Sequence, residues 1–244
     1  MHRVPLQPLV AGVVVLPATA ARYLVRVLRL RVGDGFEAFD PRAGVVAKAA
    51  ITAIDRDGGE VRATIDPAAL VDVREAPVVI VQGYPKGDKL GDVARDATEL
   101  GATAIVPALC ARSVARPDPL KLVARQERVQ SIVDESARQC GRVSAPIVLA
   151  PLPWDDALAA AETMATYRFV LWESADVPLR ADLLAIDAPQ NGVAFAIGPE
   201  GGLTAEEAEI ARARGWCVRS LGKIILRTET AATAVLGAWR VLGR

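Results

Sequence analysis

Two glycine-marked loops near the carboxyl end of the chain carry the residues best suited to bind a small molecule. Residues 198–204 read G-P-E-G-G-L-T, and the second loop runs from Leu221 to Arg227. The glycines of the first loop remove side chains where backbone N–H groups could face a ligand. Thr204 and Glu207 have the spacing of a capping box, which predicts the start of a helix.

Neither loop matches a common nucleotide-binding fingerprint. Residues 198–202 are not G-x-G-x-x-G, and Lys223 is not followed by the Ser or Thr that a Walker loop requires. Spacing alone therefore leaves two interpretations open, a ligand-binding α/β domain or tight structural turns.

Histidine and cysteine usage excludes several kinds of active site. His2 is the only histidine, so Ser-His-Asp triads, Cys-His pairs and histidine-rich metal centres are not expected. Three cysteines (Cys110, Cys140 and Cys217) lie far apart and form no C-x-x-C pair. We therefore predict no metal site and no disulfide framework, which is consistent with a reducing cytoplasm.

Alternating strand and helix patterns after residue 77 predict a mainly parallel sheet with helices on both faces. Strands are predicted at Val78–Gln82, Ala104–Pro107, Ile147–Leu149, Phe169–Trp172, Val193–Ile197 and Cys217–Leu221. Helices are predicted at Gly87–Leu100, Pro119–Cys140 and Thr228–Leu242, with others starting near Trp154, Leu179 and Thr204. Since ligands bind at the carboxyl ends of the strands in such sheets, both glycine loops lie where a site is expected.

The first part of the chain predicts a small, mostly β domain. Strands are predicted at Leu9–Leu16, Gly35–Asp40, Gly44–Asp55 and Glu60–Asp66, with a hairpin turn at 57–59 and a helix at 18–30. The helix would place Leu24, Val27 and Leu28 on one face. A linker at 66–77 separates a domain at 1–72 from one at 73–244.

Residues 1–33 contain five arginines and no acidic side chain. Two interpretations stay open, a solvated helix face or a contact with an RNA backbone. Over all 244 residues, 29 basic and 29 acidic residues cancel, so bulk charge indicates no partner. Pro5 and Pro8 interrupt a short apolar run that otherwise resembles a secretion signal, and no run is long enough to span a bilayer. We expect a cytoplasmic protein with no membrane partner.

Residues 198–204 and 221–231, the latter reading L-G-K-I-I-L-R-T-E-T-A, closely resemble the signature of the SPOUT methyltransferases. Within that superfamily the chain resembles the RsmE family, which methylates N3 of a uridine in 16S ribosomal RNA. Four further segments resemble this family in the correct order: 26–34 (R-V-L-R-L-R-V-G-D), 84–90 (Y-P-K-G-D-K-L), 96–101 (D-A-T-E-L-G) and 135–142 (E-S-A-R-Q-C-G-R).

The resemblance implies a fold, a cofactor and partners. The N-terminal domain would be a PUA-like β-barrel that binds RNA, and the C-terminal domain would be a SPOUT-type parallel α/β domain with a trefoil knot. The enzyme would be a homodimer that uses S-adenosyl-L-methionine (SAM) and acts on 16S rRNA within the small ribosomal subunit.

The resemblance also assigns residues. Arg227 would stabilise negative charge on the uracil oxygens, and Glu200 or Glu229 would orient the base or accept its N3 proton. The residues expected to bind the cofactor are Leu171, Glu173, Ile197, Gly198, Pro199, Gly201, Gly202, Leu221, Gly222, Ile225, Leu226 and Thr228. Those expected to contact RNA are Arg22, Arg26, Arg29, Arg138 and Arg142.

Structural alternatives remain for some of these assignments. Glu229 would also complement the dipole of a helix first turn, and Arg227 would also form a salt bridge across the dimer. The Arg138 and Arg142 pair would also suit a helix C-terminus, or would reach the partner subunit's active site.

The sequence departs from the family at Tyr23, where the family often has His, and at Ile224, where Arg is common.

Two other functions stay open, a SPOUT enzyme acting on another RNA and an inactive RNA-binding ribosome-assembly factor.

Overall fold

The structure, a computed structural model, describes residues 2–40, 43–55, 60–67, 69–70, 76–114, 121–142 and 144–242. Contacts divide the chain into two units. One consists of residues 1–74 with 137–145, and the other of residues 75–136 with 146–244. The domain limits at 72 and 73 stay a prediction.

The N-terminal unit contains a six-stranded sheet in the order β1-β3-β4-β5-β2, with β6 paired to β4. Its strands are β1 (Arg3–Pro5), β2 (Gly12–Val15), β3 (Gly35–Asp40), β4 (Val45–Ile54), β5 (Val61–Ile65) and β6 (Ala69–Leu70). The β1–β3 pair is parallel and the others are antiparallel. Alternation along β3 buries Phe36 and Ala38 while Glu37 points away, as a sheet with one buried face requires.

The helical segment of this unit is shorter than predicted. Helix α1 covers Ala18–Arg22, a π-helix covers Tyr23–Val27, and Arg29 has a positive φ of 56°. The wider π turn changes which residues share a face. Leu24 is fully buried, but Val27 is 63% exposed, so the prediction that Val27 shares the buried face of Leu24 is wrong.

Part of the predicted linker belongs to this sheet. Residues 69 and 70 form β6 and pair with Val45 and Val46 of β4. The predicted turn at 57–59 lies outside the described residues.

The C-terminal unit contains a seven-stranded, entirely parallel sheet in the order β10-β8-β7-β12-β11-β13, with β9 paired to β8. The strands are β7 (Val78–Gly83), β8 (Ala104–Leu109), β9 (Ile147–Val148), β10 (Leu152–Pro153), β11 (Tyr167–Leu171), β12 (Val193–Ile197) and β13 (Cys217–Arg219). The helices are α2 (Lys89–Glu99), α3 (Leu122–Gln139, whose last three residues are counted with the N-terminal unit), α4 (Trp154–Glu162), α5 (Arg180–Ala185), α6 (Ala205–Ala213) and α7 (Thr228–Val241). The pattern predicted from the sequence is therefore confirmed for this unit.

The central strands are continuous apolar runs because helices cover both faces of the sheet. Trp154 and Leu158 of α4 pack with Ala208 of α6 in one core cluster. On the opposite face, Trp239 of α7 meets Phe195 of β12 edge-on, with ring centroids 6.2 Å apart. This packing fixes α7, and with it the loop that precedes α7, against the sheet.

The end of α2 and the start of α3 can be compared with the positions predicted from the sequence. Gly101 has a φ of +100° and follows α2, the left-handed conformation that ends many helices. The start of α3 lies at Leu122 rather than Pro119, and Pro119 itself lies outside the described residues. No helix within the described ranges is long and apolar enough to cross a membrane.

Candidate functional site

A cleft of about 550 Å³ lies at the carboxyl ends of β11 and β12, between the loops that follow β12 and β13. The residues that line it are Lys89, Leu171, Trp172, Glu173, Ile197, Gly198, Pro199, Glu200, Gly201, Gly202, Leu221, Gly222, Lys223, Ile224, Ile225, Leu226, Arg227, Thr228 and Ala231. A volume of this size suits a cofactor or a drug-sized ligand. The two glycine loops therefore meet in one site.

A buried carboxylate anchors the first glycine loop. Thr204 Oγ1 accepts a hydrogen bond from Glu207 N, and Glu207 Oε2 accepts one from Thr204 N, so the predicted capping box is confirmed. The other oxygen, Glu207 Oε1, accepts from Ala111 N at 2.8 Å. Because Glu207 is 5% exposed, these bonds hold the loop firmly to the segment that follows β8.

The loop glycines are needed for close packing within the protein as well as for access to a ligand. A Cβ on Gly201 would lie 2.9 Å from Arg112 Cβ, and Arg112 donates to the Gly201 carbonyl at 3.2 Å. Gly202 has a φ of +72°, and a Cβ there would meet the Glu173 carboxylate. A side chain at Gly201 would therefore push the loop away from Arg112, and one at Gly202 would strain the backbone and push the Glu173 carboxylate aside.

Lys89 links the two candidate carboxylates. Its Nζ lies 3.3 Å from Glu200 Oε1 and 3.4 Å from Glu229 Oε1. Burial acts to raise the pKa of Glu200, but backbone N–H bonds, including that of Lys86, and the Lys89 ammonium outweigh it, so the pKa lies below its ordinary value. Glu200 is therefore ionised at neutral pH.

Arg227 has an unusual position for a cation. It is the N-cap residue of α7, where the helix dipole disfavours positive charge. Its side chain is exposed and lines the cleft. No partner for its guanidinium is found within the described part of the chain. The group is therefore available to a ligand and does not stabilise the helix.

The structure brings together nearly all residues predicted for the site. All twelve predicted cofactor residues line the cleft, as do Glu200 and Arg227. Glu229 does not line it; its Oε1 faces Lys89, and its Oε2 is buried with no hydrogen bond to any of the described residues. The roles of all these residues stay predictions.

Sequence reasoning missed five of the lining residues, namely Lys89, Trp172, Lys223, Ile224 and Ala231. Lys89 ends the K-G-D-K run of the 84–90 segment, so that segment already contained a clue to it. Its juxtaposition with Glu200 and Glu229, more than 100 positions away, arises only from the sheet order.

The arginines predicted to contact RNA all belong to the N-terminal unit. Arg22, Arg26 and Arg29 are exposed, and no side-chain partner of theirs is found among the residues described. The Arg138 guanidinium lies 5.9 Å from the centre of the Tyr23 ring, a cation–π contact. Tyr23 thus supports an arginine of the 135–142 segment.

Within the described ranges, no group of three or more His, Cys, Asp or Glu side chains is arranged to hold a metal ion.

Two family models match the chain. The one described as an RNA methyltransferase domain matches residues 73–240, and the one described as an RNA methyltransferase PUA domain matches residues 16–64. The chain belongs to the RNA methyltransferase family. The first match spans the C-terminal unit's parallel sheet, and the second lies within the N-terminal unit, so the predicted fold class, apart from the knot, is confirmed.

Similar proteins show to which group of RNA methyltransferases the chain is related. The ribosomal RNA small subunit methyltransferase E of Synechocystis sp. is 35% identical over 233 residues, which cover 94% of this chain and 73% of that protein. The protein of the same description from Mycobacterium bovis is 29% identical, covering 96% and 88% of the two chains. The resemblance to the RsmE family is therefore confirmed.

A solved structure agrees with this grouping. The ribosomal RNA small subunit methyltransferase E of Neisseria gonorrhoeae, bound to S-adenosyl methionine, is similar with a TM-score of 0.80 and 29% identity. The match covers 99% of this chain and 98% of that one.

Proposed function

We propose that this RNA methyltransferase transfers the methyl group of SAM to N3 of a specific uridine in the 16S rRNA of the small ribosomal subunit. One observation carries the proposal: the residues that resemble the family's two signature loops form a single cleft at the carboxyl ends of parallel strands. The Neisseria gonorrhoeae relative, which has the same fold along nearly its whole length, binds SAM.

The cleft residues fit SAM chemically. Leu171, Ile197 and Leu226 would supply apolar contacts for the adenine ring, and the backbone groups of both glycine loops would supply hydrogen bonds. The Glu173 carboxylate lines the cleft without a side-chain partner among the described residues, so it can accept from the methionine ammonium. When bound, SAM supplies a methyl group activated by its attachment to a sulfonium.

Methyl transfer from bound SAM would form the N3–CH₃ bond, break the sulfur–methyl bond and release the N3 proton. Arg227 stabilises the negative charge that develops on the uracil oxygens as N3 loses this proton. Glu200, which is ionised and lines the cleft, accepts the proton or orients the base. Glu229 affects the site only by holding the Lys89 ammonium, because its Oε1 faces that group rather than the cleft.

The RNA and a second copy of the chain complete the proposed enzyme. Exposed arginines of the N-terminal unit contact the RNA backbone, with Arg138 and Arg142 as further contacts. The resemblance to the SPOUT superfamily supports a trefoil knot and a homodimer, and sedimentation of the pure protein would test the dimer. The substrate supports a cytoplasmic location, where ribosomal subunits assemble.

Reverse transcription tests the substrate. A methyl group on N3 blocks the Watson–Crick edge, so 16S rRNA from the wild-type strain should give a stop that a strain lacking this gene does not give. The active gene restored on a plasmid should bring the stop back. A stop that persists in the deletion strain would show that another RNA is the substrate.

Calorimetry with SAM tests the enzyme assignment separately. We expect saturable binding by the purified protein. An absence of binding at millimolar SAM would instead favour an inactive RNA-binding assembly factor.

A further inference from the structure

Buried hydrogen bonds join the two loops of the cleft to each other and to Gln82, a residue outside the cleft. Gln82, at the carboxyl end of β7, is fully buried. Its Nε2 donates to Thr228 Oγ1 at 2.6 Å and to the Gly83 carbonyl at 3.1 Å. Thr228 Oγ1 donates in turn to the Gly198 carbonyl at 2.6 Å.

The directions of these bonds follow from the number of hydrogens available. A threonine hydroxyl has one hydrogen, and in this network it goes to the Gly198 carbonyl. The short contact with Gln82 therefore requires a donor on the glutamine, so the amide nitrogen faces Thr228. The amide oxygen, Gln82 Oε1, is left buried with no hydrogen bond among the described residues.

The unpaired amide oxygen shows that the network is not optimal for stability alone. A buried acceptor without a partner destabilises a fold, whereas an apolar side chain of the same size would avoid this cost. The glutamine thus contributes something that an apolar residue could not, which is the hydrogen bond to Thr228.

Two of the residues joined by this network, Gly198 and Thr228, line the cleft. Gly198 begins the first glycine loop, and Thr228 directly follows Arg227 and begins α7. The backbone of Gly83 touches the first loop from the same strand end, since a Cβ on Gly83 would overlap Pro199 N. The end of β7 therefore contacts one loop directly and is joined to the other through Thr228.

We propose that Gln82 is a positioning residue of this enzyme, which sets the distance and orientation between the glycine loop and the Arg227 end of α7 by fixing the Thr228 hydroxyl. The inference rests on the proposed function, because it assigns Gln82 a role in SAM binding and methyl transfer. Gln82 itself does not line the cleft.

The first test is Gln82→Met, which keeps the length of the side chain and removes both the donor and the unpaired acceptor. We expect the melting temperature to stay equal or to rise, while SAM affinity measured by calorimetry falls about tenfold or more. The methyl-transfer rate at saturating SAM should fall as well. The reason is that Arg227, next to Thr228, would no longer be held at a fixed distance from the glycine loop. A purely structural role would instead lower the melting temperature and leave the folded fraction fully active.

A second pair of variants tests the same network from its middle. Thr228→Val removes the hydroxyl without changing the shape of the side chain and should weaken SAM binding by a similar factor. Thr228→Ser restores the hydroxyl and should recover most of that loss. Because the Thr228 hydroxyl accepts from Gln82 and gives its one hydrogen to Gly198, it has none left to donate to SAM, and this pair decides the proposal if Gln82→Met does not fold.

Two matched controls remove similar groups elsewhere in the C-terminal unit. Thr98 is buried and donates to the Ala94 carbonyl at 2.6 Å, and Gln126 donates to the Val148 carbonyl at 2.8 Å. Neither residue lines the cleft. We expect Thr98→Val and Gln126→Met to bind SAM as the wild type does.

The outcomes separate the two proposals. SAM affinity and turnover within twofold of wild type in Gln82→Met, or in Thr228→Val where that pair decides, would overturn the role of Gln82. The role of Gln82 would also be overturned if Thr228→Ser fails to recover the SAM affinity that Thr228→Val loses. A wild-type protein that binds no SAM would overturn the proposed function itself.

Discussion

At the scale of single residues, some charged side chains at the cleft form hydrogen bonds within the protein, and others are available to a ligand. Glu207 uses both carboxylate oxygens to hold the first loop. Arg227 and Glu173 line the cleft and use none of their side-chain atoms within the described structure. Free charged groups beside a rigid loop can interact with a substrate without first breaking an internal ion pair.

Arg227→Ala should lower the methyl-transfer rate at least ~100-fold and change SAM affinity little, because the guanidinium acts on charge that develops only in the transition state. Single-turnover kinetics and calorimetry would measure the two effects. Arg227→Lys should recover part of the rate, since it keeps the charge but not the planar fork. An equal loss of SAM affinity would indicate a structural role.

Glu200→Gln and Glu229→Gln form an isosteric pair that separates the two candidate carboxylates. Glu200 lines the cleft, so its replacement should lower the rate at saturating substrate by about 100-fold. Glu229 faces Lys89, so its replacement should lower the rate less than about tenfold. A larger effect in Glu229→Gln would reverse the assignment.

At the scale of elements, strand ends determine where the loops lie. Hydrogen-bonded neighbours β7, β12, β11 and β13 end along the same edge of the sheet, so loops far apart in sequence converge there. The end of β7 also touches the first loop directly, and only a glycine at position 83 permits that approach.

Gly83→Ala should destabilise the protein by at least ~2 kcal/mol and weaken SAM binding, because the new methyl group would collide with backbone rather than with a flexible side chain. Urea denaturation would measure the free energy of unfolding. Gly237→Ala is the matched control in α7, where nothing lies within 4 Å of the added methyl group. That variant should be about 0.5–1 kcal/mol more stable than wild type, as a helix favours alanine over glycine. Equal effects of the two changes would contradict the packing argument.

At the scale of the whole molecule, the two units carry different parts of the proposed activity. The cleft proposed to bind SAM lies entirely in the C-terminal unit, and the exposed arginines Arg22, Arg26 and Arg29 lie in the N-terminal one. Because the overall charge is balanced, RNA affinity must come from such a local group of arginines.

The triple variant Arg22→Ala, Arg26→Ala and Arg29→Ala should weaken binding to 16S rRNA and leave SAM affinity unchanged. Each lost phosphate contact should reduce the slope of log affinity against log salt by about 0.7–0.9. Binding measured over a range of salt concentrations gives this slope. Arg62→Ala is the control in the same unit, since Arg62 is already paired with Glu60 at 2.8 Å. An unchanged slope in the triple variant would favour a merely solvated helix face.

Much of this structure could be predicted from the sequence, because strands, helix starts and ligand-binding loops each depend on residues that are close together in the chain. Continuous apolar runs predict the buried parallel strands, the Thr204–Glu207 spacing predicts a capping box, and the two signature loops predict the site. Because His2 is the one histidine in the sequence, catalysis by a Ser-His-Asp triad or a Cys-His pair is not expected, and no structure is needed to say so. The π-helix at Tyr23–Val27 was not predictable, because packing around Leu24 overrides a regular helical period.

The sequence by itself determined the family, the fold class and most of the residues that line the cleft. Only the tertiary structure decided how these residues meet: that Lys89 faces both Glu200 and Glu229, and that Gln82 holds Thr228 against Gly198. Side chains 100 to 150 positions apart are brought together by the order of the strands. That order depends on how helices and strands pack over the whole unit, which no local spacing encodes.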